Sequence, residues 1–248
     1  MSNQSSLDDL ARQIGMPGAR GSRRVPVWFI VSVVISVILV GGLLYYNFMP
    51  LDGPIPDGVQ ERYTELPRDY TAQDFPRLGD PNAPVLVEDF SSYACPHCQD
   101  LHTGQFANLL DEIAAGQVQY VFVPVRHIGS GAEEAAMAAL CAGQQGQFWE
   151  MTDALFHWQD EFRLRVFDER RIKTGVDNLG LDRQQFDQCY DNNYVEGTLD
   201  EAEAEFRRRD LSGTPSVFVN GEATSIRLLE NEIADQIAAL DVEQNEGE

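Results

Sequence analysis

A run of 27 residues without any charged side chain, Val25–Leu51, constrains this chain of 248 residues more than any other feature. Valine, isoleucine and leucine make up most of the run, and a helix that spans a membrane needs about 20 apolar residues. Aromatic residues flank its apolar centre, as they do at membrane interfaces: Trp28, Phe29, Tyr45 and Tyr46. The sequence therefore predicts one transmembrane helix over residues 25–47.

The segment before this helix is basic. Residues 1–24 carry a net charge of +2 from four arginines and two aspartates: Arg12, Arg20, Arg23, Arg24, Asp8 and Asp9. This excess predicts that the segment stays in the cytoplasm and that the rest of the chain is extracytoplasmic. A cleaved signal peptide is the alternative, but its apolar region is only about 7–15 residues long and ends at small residues. The longer run here leads into Tyr45–Pro50 instead, so we expect an uncleaved, single-pass signal-anchor in the cell membrane.

The charge balance excludes one class of partner. The chain has a formal net charge of −22, and because residues 1–24 contribute +2, the part after the span carries −24. A nucleic acid requires basic patches on its protein partner, so we expect no nucleic-acid binding. A hydrophobic content of 43% excludes wholesale disorder, and four cysteines are too few for a disulfide-rich scaffold.

Proline and glycine are frequent in the segment that follows the apolar run. Because both residues break regular elements, we expect residues 48–74 to form a tether. A globular domain is predicted over residues 75–240, and residues 241–248 are predicted to be an acidic tail.

The order of elements within the domain predicts an α/β fold. Hydrophobic periodicity gives strand, helix, strand, a long helical stretch, strand and helix: Val85–Phe90, a helix to about Ala115, Gln117–Val125, about 128–209, Ser216–Val219 and about Leu228–Leu240. The long helical stretch interrupts an otherwise alternating order, so we interpret it as a helical insertion.

The sequence Cys95-Pro96-His97-Cys98 lies directly after the first strand, at the start of a helix. The free N–H groups and the dipole at a helix N-terminus stabilise an anion, so we expect a thiolate with a low pKa at Cys95. His97 is expected to add to this effect, and Cys98, one turn further, to be more buried and to act as the resolving cysteine. Because a thiolate of low pKa is a good leaving group, the pair is predicted to be an oxidant.

The segment Glu88–Cys98 resembles the active-site strand and helix of DsbA-like thiol–disulfide oxidoreductases. This resemblance implies a thioredoxin-like fold with a helical insertion over about residues 75–240. The Pro-His pair between the cysteines matches the oxidising members of the family. A second family hallmark, a cis-proline loop that faces the disulfide and binds substrate, corresponds to Gly213–Val219, with Thr214 against the sulfurs and Pro215 in the cis form.

Asp89 lies six residues before Cys95, where the thioredoxin fold usually keeps a buried acid. Strand alternation places it on one face with Val85 and Val87. Burial raises the pKa of a carboxyl group, which makes Asp89 a candidate proton acceptor for Cys98. The alternative is a polar strand end that bends towards solvent.

The two remaining cysteines, Cys141 and Cys189, lie 48 residues apart in the helical stretch. We interpret them as a structural disulfide between two helices of the insertion. A second redox centre lacks any feature that lowers a thiol pKa, and two free buried thiols are uncommon outside the cytoplasm.

A zinc site at Cys95 and Cys98 is the main structural alternative. Structural zinc sites need four cysteine or histidine ligands at matched spacings, and the other cysteines are isolated. His102 lies four residues after Cys98 on the same helix and is expected to face solvent. His127 and His157 are isolated, and such histidines are more often surface or core residues than ligands. The sequence therefore predicts no metal and no cofactor.

Together these features predict a membrane-anchored enzyme that introduces disulfides into reduced or unfolded exported proteins. The family resemblance implies reoxidation by a quinone-linked thiol oxidase in the membrane. Three alternatives stay open: a reductase or isomerase that uses the same cysteines, a copper- or zinc-binding protein, and a non-catalytic docking module.

Overall fold

The structure is a computed structural model that describes residues 25–246. It divides the chain into two units, one that ends at Met49 and one that begins at Pro50. The first unit holds helix α1 (Val27–Phe48), whose side chains are all exposed and which is long and apolar enough to cross a membrane. The basic segment 1–24, predicted to be cytoplasmic, and residues 247–248 of the predicted tail lie outside the described residues.

The second unit is built on a six-stranded mixed sheet within the described part of the chain. Its strands are β1 (Arg68–Tyr70), β2 (Pro76–Leu78), β3 (Val85–Ser91), β4 (Val118–Pro124), β5 (Ser216–Val219) and β6 (Glu222–Thr224), in the spatial order β1-β2-β4-β3-β5-β6. Only the central pair β3 and β4 is parallel, and the other neighbours are antiparallel. The three strands predicted from the sequence are therefore the centre of the sheet.

Helices surround this sheet, and most of them lie between β4 and β5. In chain order they are α2 (Val59–Tyr63), α3 (Pro96–Leu101), a π-helical turn (His102–Phe106), α4 (Leu110–Ala114), α5 (Ala132–Gly143), α6 (Phe148–Glu161), α7 (Glu169–Asn178), α8 (Arg183–Asp191), α9 (Glu196–Arg208) and α10 (Leu229–Glu246). Helices α5–α9 form the predicted helical insertion. The prediction of an α/β fold with this insertion is confirmed.

Alternate residues of β4 enter two different cores. Val118, Tyr120 and Phe122 belong to a large core that includes α3 and helices of the insertion. Val121 and Val123 lie in a smaller core together with residues of α9. Because the central strands are covered on both faces, polar side chains on them lose their water and need partners within the protein.

The prediction that residues 48–74 form a tether is wrong. This segment contains α2 and β1, and Val59 and Tyr63 are buried in the large core. The Tyr63 hydroxyl donates a hydrogen bond to Asp153 of α6 (2.9 Å), and Trp158 of α6 donates one to the carbonyl of Pro54 (2.6 Å). The prolines and glycines keep the elements short, but contacts with distant α6 hold the segment in the domain.

The last helix is longer than predicted and includes the first six residues of the predicted acidic tail. Helix α10 continues to Glu246. No glycine or proline occurs in α10 before Gly247, so the sequence offers no local reason for an earlier end.

A disulfide joins Cys141 of α5 to Cys189 of α8, with a Cα–Cα distance of 5.7 Å. Both residues are buried. The bond connects two helices of the insertion across 48 residues of chain.

Removal of this disulfide is expected to destabilise the domain. Closing a loop of 48 residues reduces the entropy of the unfolded chain by an amount worth about 4 kcal/mol. We therefore expect the double variant Cys141→Ala, Cys189→Ala to lose about 4 kcal/mol of unfolding free energy in a urea titration. A loss of about 1 kcal/mol or less, the ordinary effect of a point substitution, would contradict a cross-linking role.

Candidate active site

The end of β3 and the start of α3 place the two cysteines of the Cys95–Cys98 motif. Cys95 is the N-cap residue of α3, and Pro96 occupies the first helical turn, where its missing N–H is not needed. The amides of Cys98 and Gln99 donate to the carbonyl of Cys95, at 3.1 and 3.2 Å. The Cys95 side chain therefore lies at the helix N-terminus, where free N–H groups favour an anion.

The loop before β5 approaches the same point from the other side. Because β5 is antiparallel to β3, its first residue, Ser216, pairs with Phe90 near the end of β3. The Thr214–Pro215 peptide bond is cis. The Cys95 thiol donates a hydrogen bond to the carbonyl of Thr214 (3.2 Å), so the loop lies directly against this sulfur.

The surroundings of Cys95 favour its thiolate. A hydrogen bond from the Cys98 side chain is the largest cause that lowers its pKa, followed by the Thr214 side chain and the backbone N–H groups of Cys98 and His97. Together they outweigh desolvation and bring the pKa of Cys95 from 9.0 to about 5. The Thr214 hydroxyl is buried and has no hydrogen-bond partner within the described residues, which leaves it available to this thiolate.

The surroundings of Cys98 have the opposite effect. Cys98 is fully buried, and desolvation raises its pKa far above the usual value of a thiol. The hydrogen bond with Cys95 and the charge of nearby Asp89 raise it further. At neutral pH the site therefore pairs a thiolate at Cys95 with a neutral thiol at Cys98.

His97 contributes through its backbone. Its side chain is 78% exposed, and the ring Nδ1 lies 3.6 Å from a carboxylate oxygen of Asp100. The backbone N–H of His97, and not its imidazole, is among the main groups that lower the pKa of Cys95. The structure thus gives no support to a direct effect of the His97 ring on this sulfur.

Asp89 is buried with Val85 and Val87, on the face of β3 that alternation predicts. Its Oδ1 accepts a hydrogen bond from the Ser91 hydroxyl (2.5 Å), and its Oδ2 accepts one from the Tyr120 hydroxyl (2.8 Å). Desolvation raises the pKa of Asp89 from 3.8 to about 6, and the two hydrogen bonds limit the increase.

Three residues beside the cysteines were not expected from the sequence. Ser91 follows Asp89 by two residues on the same face of β3, so strand alternation also predicts that Ser91 is buried beside Asp89. Tyr120 lies on the neighbouring strand β4, and no local sequence pattern predicts its contact with Asp89. The expectation that His102 faces solvent is wrong, because its side chain is buried and bonds through Nε2 to Asp153 (2.6 Å).

Among residues 25–246, no group of three or more His, Cys, Asp or Glu side chains is arranged to hold a metal ion. The four cysteines are divided between one disulfide and the two free thiols of the site. What the site offers chemically is therefore a nucleophilic thiolate, a second thiol and a buried carboxyl group.

The sequence model of a family described as thioredoxin matches residues 71–239. Among solved structures, BdbD from Bacillus subtilis in its oxidised form superposes with a TM-score of 0.61 at 20% identity, over 68% of this chain and 96% of that one. The thioredoxin-like fold that the Cys95–Cys98 motif implied is confirmed.

Several curated proteins match parts of the chain, and two of them illustrate the range. A Rickettsia conorii protein provisionally named a protein-disulfide oxidoreductase is 29% identical over 153 residues, which are 59% of this chain and 53% of that protein. The Na(+)/H(+) antiporter NhaA 1 of Mycolicibacterium gilvum is 32% identical over 152 residues, which are 58% of this chain but only 23% of the antiporter. The chain thus spans about a quarter of that relative, and the similarity does not extend to the whole antiporter.

The difference in pKa between Cys95 and Cys98 can be measured by titration of thiolate absorbance in the reduced protein. We expect one transition near pH 5, absent in Cys95→Ser, because the donors around Cys95 stabilise its thiolate. Cys98→Ala is expected to move the transition towards 9.0, since it removes the largest stabilising hydrogen bond. His97→Ala is the matched control and is expected to leave the transition near the wild-type value. A wild-type midpoint near 9.0 would contradict this description.

The buried carboxyl group predicts a specific dependence of stability on pH. Because folding raises the pKa of Asp89 from 3.8 to about 6, the folded state holds this proton more tightly than the unfolded state. The contribution to stability is complete below pH 3.8 and is lost as the pH rises through 6, a change of about 3 kcal/mol.

Urea unfolding between pH 4 and 8 tests this dependence in wild type and in Asp89→Asn. The asparagine cannot ionise, so we expect the variant to lose less stability than wild type as the pH rises. Asp235→Asn, at an exposed position of α10, is the matched control and should follow wild type. Parallel curves for wild type and Asp89→Asn would show that Asp89 ionises as it does in the unfolded chain.

Proposed function

Because the chain belongs to the thioredoxin family, we propose that it is a thiol–disulfide oxidoreductase that introduces disulfides into exported proteins through Cys95 and Cys98. The observation that carries this proposal is the placement of the two thiols: Cys95 lies at the N-terminus of α3 against the cis-proline loop, whereas Cys98 is fully buried. This placement shifts the two thiol pKa values in opposite directions. A metal-binding role for the same cysteines has no comparable support. The provisional name of the Rickettsia relative agrees with the proposal.

The reaction begins with the Cys95–Cys98 disulfide. A substrate thiolate attacks the Cys95 sulfur, the bond to Cys98 breaks, and Cys98 leaves as a thiolate that takes up a proton. A second substrate thiolate then attacks the substrate sulfur of the mixed disulfide and expels the Cys95 thiolate. The substrate loses two electrons and gains a disulfide, and both active-site cysteines are left reduced.

The direction of the reaction follows from the stability of the reduced site. A thiolate of pKa about 5 is stable at neutral pH, which favours the reduced over the disulfide form. The same low pKa makes Cys95 a good leaving group when the mixed disulfide is resolved. A reductase or isomerase needs a less oxidising couple, so the pKa of Cys95 favours the oxidase.

A groove beside Ala94, which precedes Cys95, offers a place for an extended substrate segment. Leu164 on its rim is 82% exposed, and Phe167 forms part of its wall. The neighbouring cis-proline loop presents backbone groups around Thr214 to a chain that approaches Cys95. Charged side chains also line the groove, among them Glu134, Arg163 and Asp168, so an extended segment of an unfolded protein with both apolar and polar side chains suits it.

We also propose that α1 anchors the enzyme in the cell membrane, with residues 1–24 in the cytoplasm and the catalytic domain outside. The basic segment and the apolar helix support this orientation. We further propose that a quinone-linked thiol oxidase in the same membrane reoxidises Cys95 and Cys98. Anchoring would raise the effective concentration of the two proteins for each other.

Disulfide transfer by the oxidised full-length chain in detergent tests the enzymatic proposal. A reduced, unfolded protein with one native disulfide serves as substrate, and mass spectrometry follows both partners. We expect one disulfide to form for each pair of active-site thiols that is reduced. Cys95→Ser is expected to abolish transfer, whereas Cys141→Ala with Cys189→Ala should retain it wherever that variant is folded.

Two results would contradict the oxidase. Equal transfer by Cys95→Ser would remove Cys95 from the reaction. Transfer only in the opposite direction, from the reduced enzyme to an oxidised substrate, would instead support the reductase.

A further inference from the structure

We propose that the groove beside Ala94 continues into a second groove that binds a lysine or arginine side chain of the substrate, away from the cysteine that is oxidised. We call this second groove the acidic groove, and its main lining residues are Glu134, Met137, Phe167, Glu169, Tyr190 and Asp191. The inference rests on the proposed function and deepens it, because it names a class of substrate: extended segments with a basic residue at a distance from their reactive cysteine.

The two grooves are continuous. Glu134, Phe167 and Asp168 line both of them, and their volumes are 590 and 650 Å³. The Phe167 ring lies at the junction and packs against Gly131, where a Cβ atom would lie 3.0 Å from the ring. Because the first groove begins beside Ala94, an extended segment that reaches Cys95 through it can continue into the acidic groove. Successive side chains of such a segment point to opposite sides, so every second one can enter the groove.

Three parts of the helical insertion form the acidic groove. Helix α5 contributes Glu134 and Met137, the start of α7 and the residues before it contribute a second wall, and the end of α8 contributes Tyr190. The Cys141–Cys189 disulfide joins α5 to α8. Two walls of the groove are therefore linked covalently, and a preformed groove reduces the entropy that is lost when a substrate binds.

The acidic groove has an excess of negative charge. Four carboxylates and one guanidinium line it: Glu134, Asp168, Glu169, Asp191 and Arg170. Arg170 pairs with Asp168 (2.9 Å), and Lys173 pairs with Glu169 (2.5 Å). Glu134 and Asp191 are exposed, and neither makes an ion pair with another residue of the range 25–246. Two carboxylates therefore remain without a positive partner, whereas the groove beside Ala94 contains Arg163 and Arg165.

Tyr190 adds a polar atom to the acidic groove. Its side chain is only 9% exposed and its ring stacks on that of Phe186, with 5.5 Å between the ring centroids. Desolvation raises the pKa of Tyr190, and the negative charges of Glu134 and Glu169 raise it further, which places the hydroxyl among the carboxylates of the groove. This hydroxyl has no hydrogen-bond partner among the residues that the structure describes, so it is available to a ligand.

These groups suit the cationic end of a side chain better than a metal ion. Within residues 25–246, no three His, Cys, Asp or Glu side chains are arranged to hold a metal. Lysine and arginine have several N–H donors and no acceptor, which matches a hydroxyl and two free carboxylates. Their apolar stems can pack on Met137 and Phe167, and a cation near the Tyr190 ring is attracted by the ring itself.

The oxidation of single-cysteine peptides tests this preference. The peptides carry lysine, glutamine or glutamate at successive positions on either side of the cysteine. An excess of peptide is mixed with the oxidised full-length chain in an uncharged detergent. One peptide thiolate attacks the Cys95 sulfur and displaces Cys98, and a second attacks the peptide sulfur and expels Cys95, which leaves a peptide disulfide and the reduced enzyme. Acid quench and mass analysis follow the loss of the Cys95–Cys98 disulfide.

Two influences on the rate must be separated from the acidic groove. The rate with a small neutral disulfide, 2-hydroxyethyl disulfide, corrects for the effect of a neighbouring charge on the peptide thiol. General attraction between a basic peptide and an acidic domain acts at every position of the lysine. The acidic groove instead predicts that lysine peptides react about fivefold faster than glutamate peptides at certain positions only, the upper end of what one exposed ion pair contributes.

Substitution of the two free carboxylates is expected to remove this preference. In Glu134→Gln with Asp191→Asn, the ratio of the lysine to the glutamate rate should fall to within about twofold of one, less than one strong exposed ion pair contributes. Glu222→Gln with Asp235→Asn is the matched control, because it changes the net charge equally at exposed positions that line neither groove. The control is expected to keep the preference, and the glutamine peptide reports whether each variant is active.

A measurement on wild type covers the case in which the double variant does not fold. In about 1 M salt the Debye length is about 3 Å, so the preference for lysine should disappear. Equal rates for all peptides at every position, a preference that the double variant retains, or one that persists in high salt would overturn the proposal. Absence of reaction with every peptide would instead contradict the proposed function, so the two failures are distinguishable.

Discussion

The loss of water around Cys98 is the constraint on which the chemistry of this site depends. Cys98 is fully buried at the edge of the large core, and desolvation is the main reason that its thiolate is unstable. As a neutral thiol it donates a hydrogen bond to Cys95, the largest cause of the low pKa there. Burial of Cys98 therefore lowers the pKa of Cys95. The helix N-terminus and Thr214 increase further the pKa difference between the two thiols.

Strand pairing in the sheet brings the residues of this site together. The parallel pair β3 and β4 brings Tyr120 beside Asp89, and the antiparallel pair β3 and β5 brings the Thr214–Pro215 loop beside Cys95. The insertion helices that belong to the large core cover the face of these strands on which Val85, Val87 and Asp89 lie, and they help to exclude water from Asp89 and Cys98. The Cys141–Cys189 disulfide connects two helices of that cover.

Local sequence was sufficient to predict the parts of the site that depend on local rules. Alternation along β3 placed Asp89 on the buried face, and the position of Cys95 at a helix start predicted its low pKa. The same alternation extends to Ser91. The partner on β4, Tyr120, could not be identified in this way because strand register is set by packing across the sheet.

Long-range contacts also explain where sequence reasoning was wrong. Proline and glycine over residues 48–74 suggested a tether, yet Tyr63 and its bond to Asp153 join this segment to α6, which follows it by about ninety residues. The ring of His97 points to solvent although its backbone N–H contributes to the site. In the first case residue type was a weaker guide than the contacts that a distant helix provides, and in the second the local position of the backbone N–H matters more than the type of side chain.

The equilibrium between the Cys95–Cys98 couple and glutathione tests the central claim most directly, because it measures whether the thiolate asymmetry makes the site an oxidant. The measurement uses the full-length chain in detergent at neutral pH. We predict a reduction potential well above about −180 mV, the value of an isomerase, and close to about −120 mV, that of a strong dithiol oxidant. A potential near −270 mV, that of a cytosolic dithiol reductant, would contradict the account.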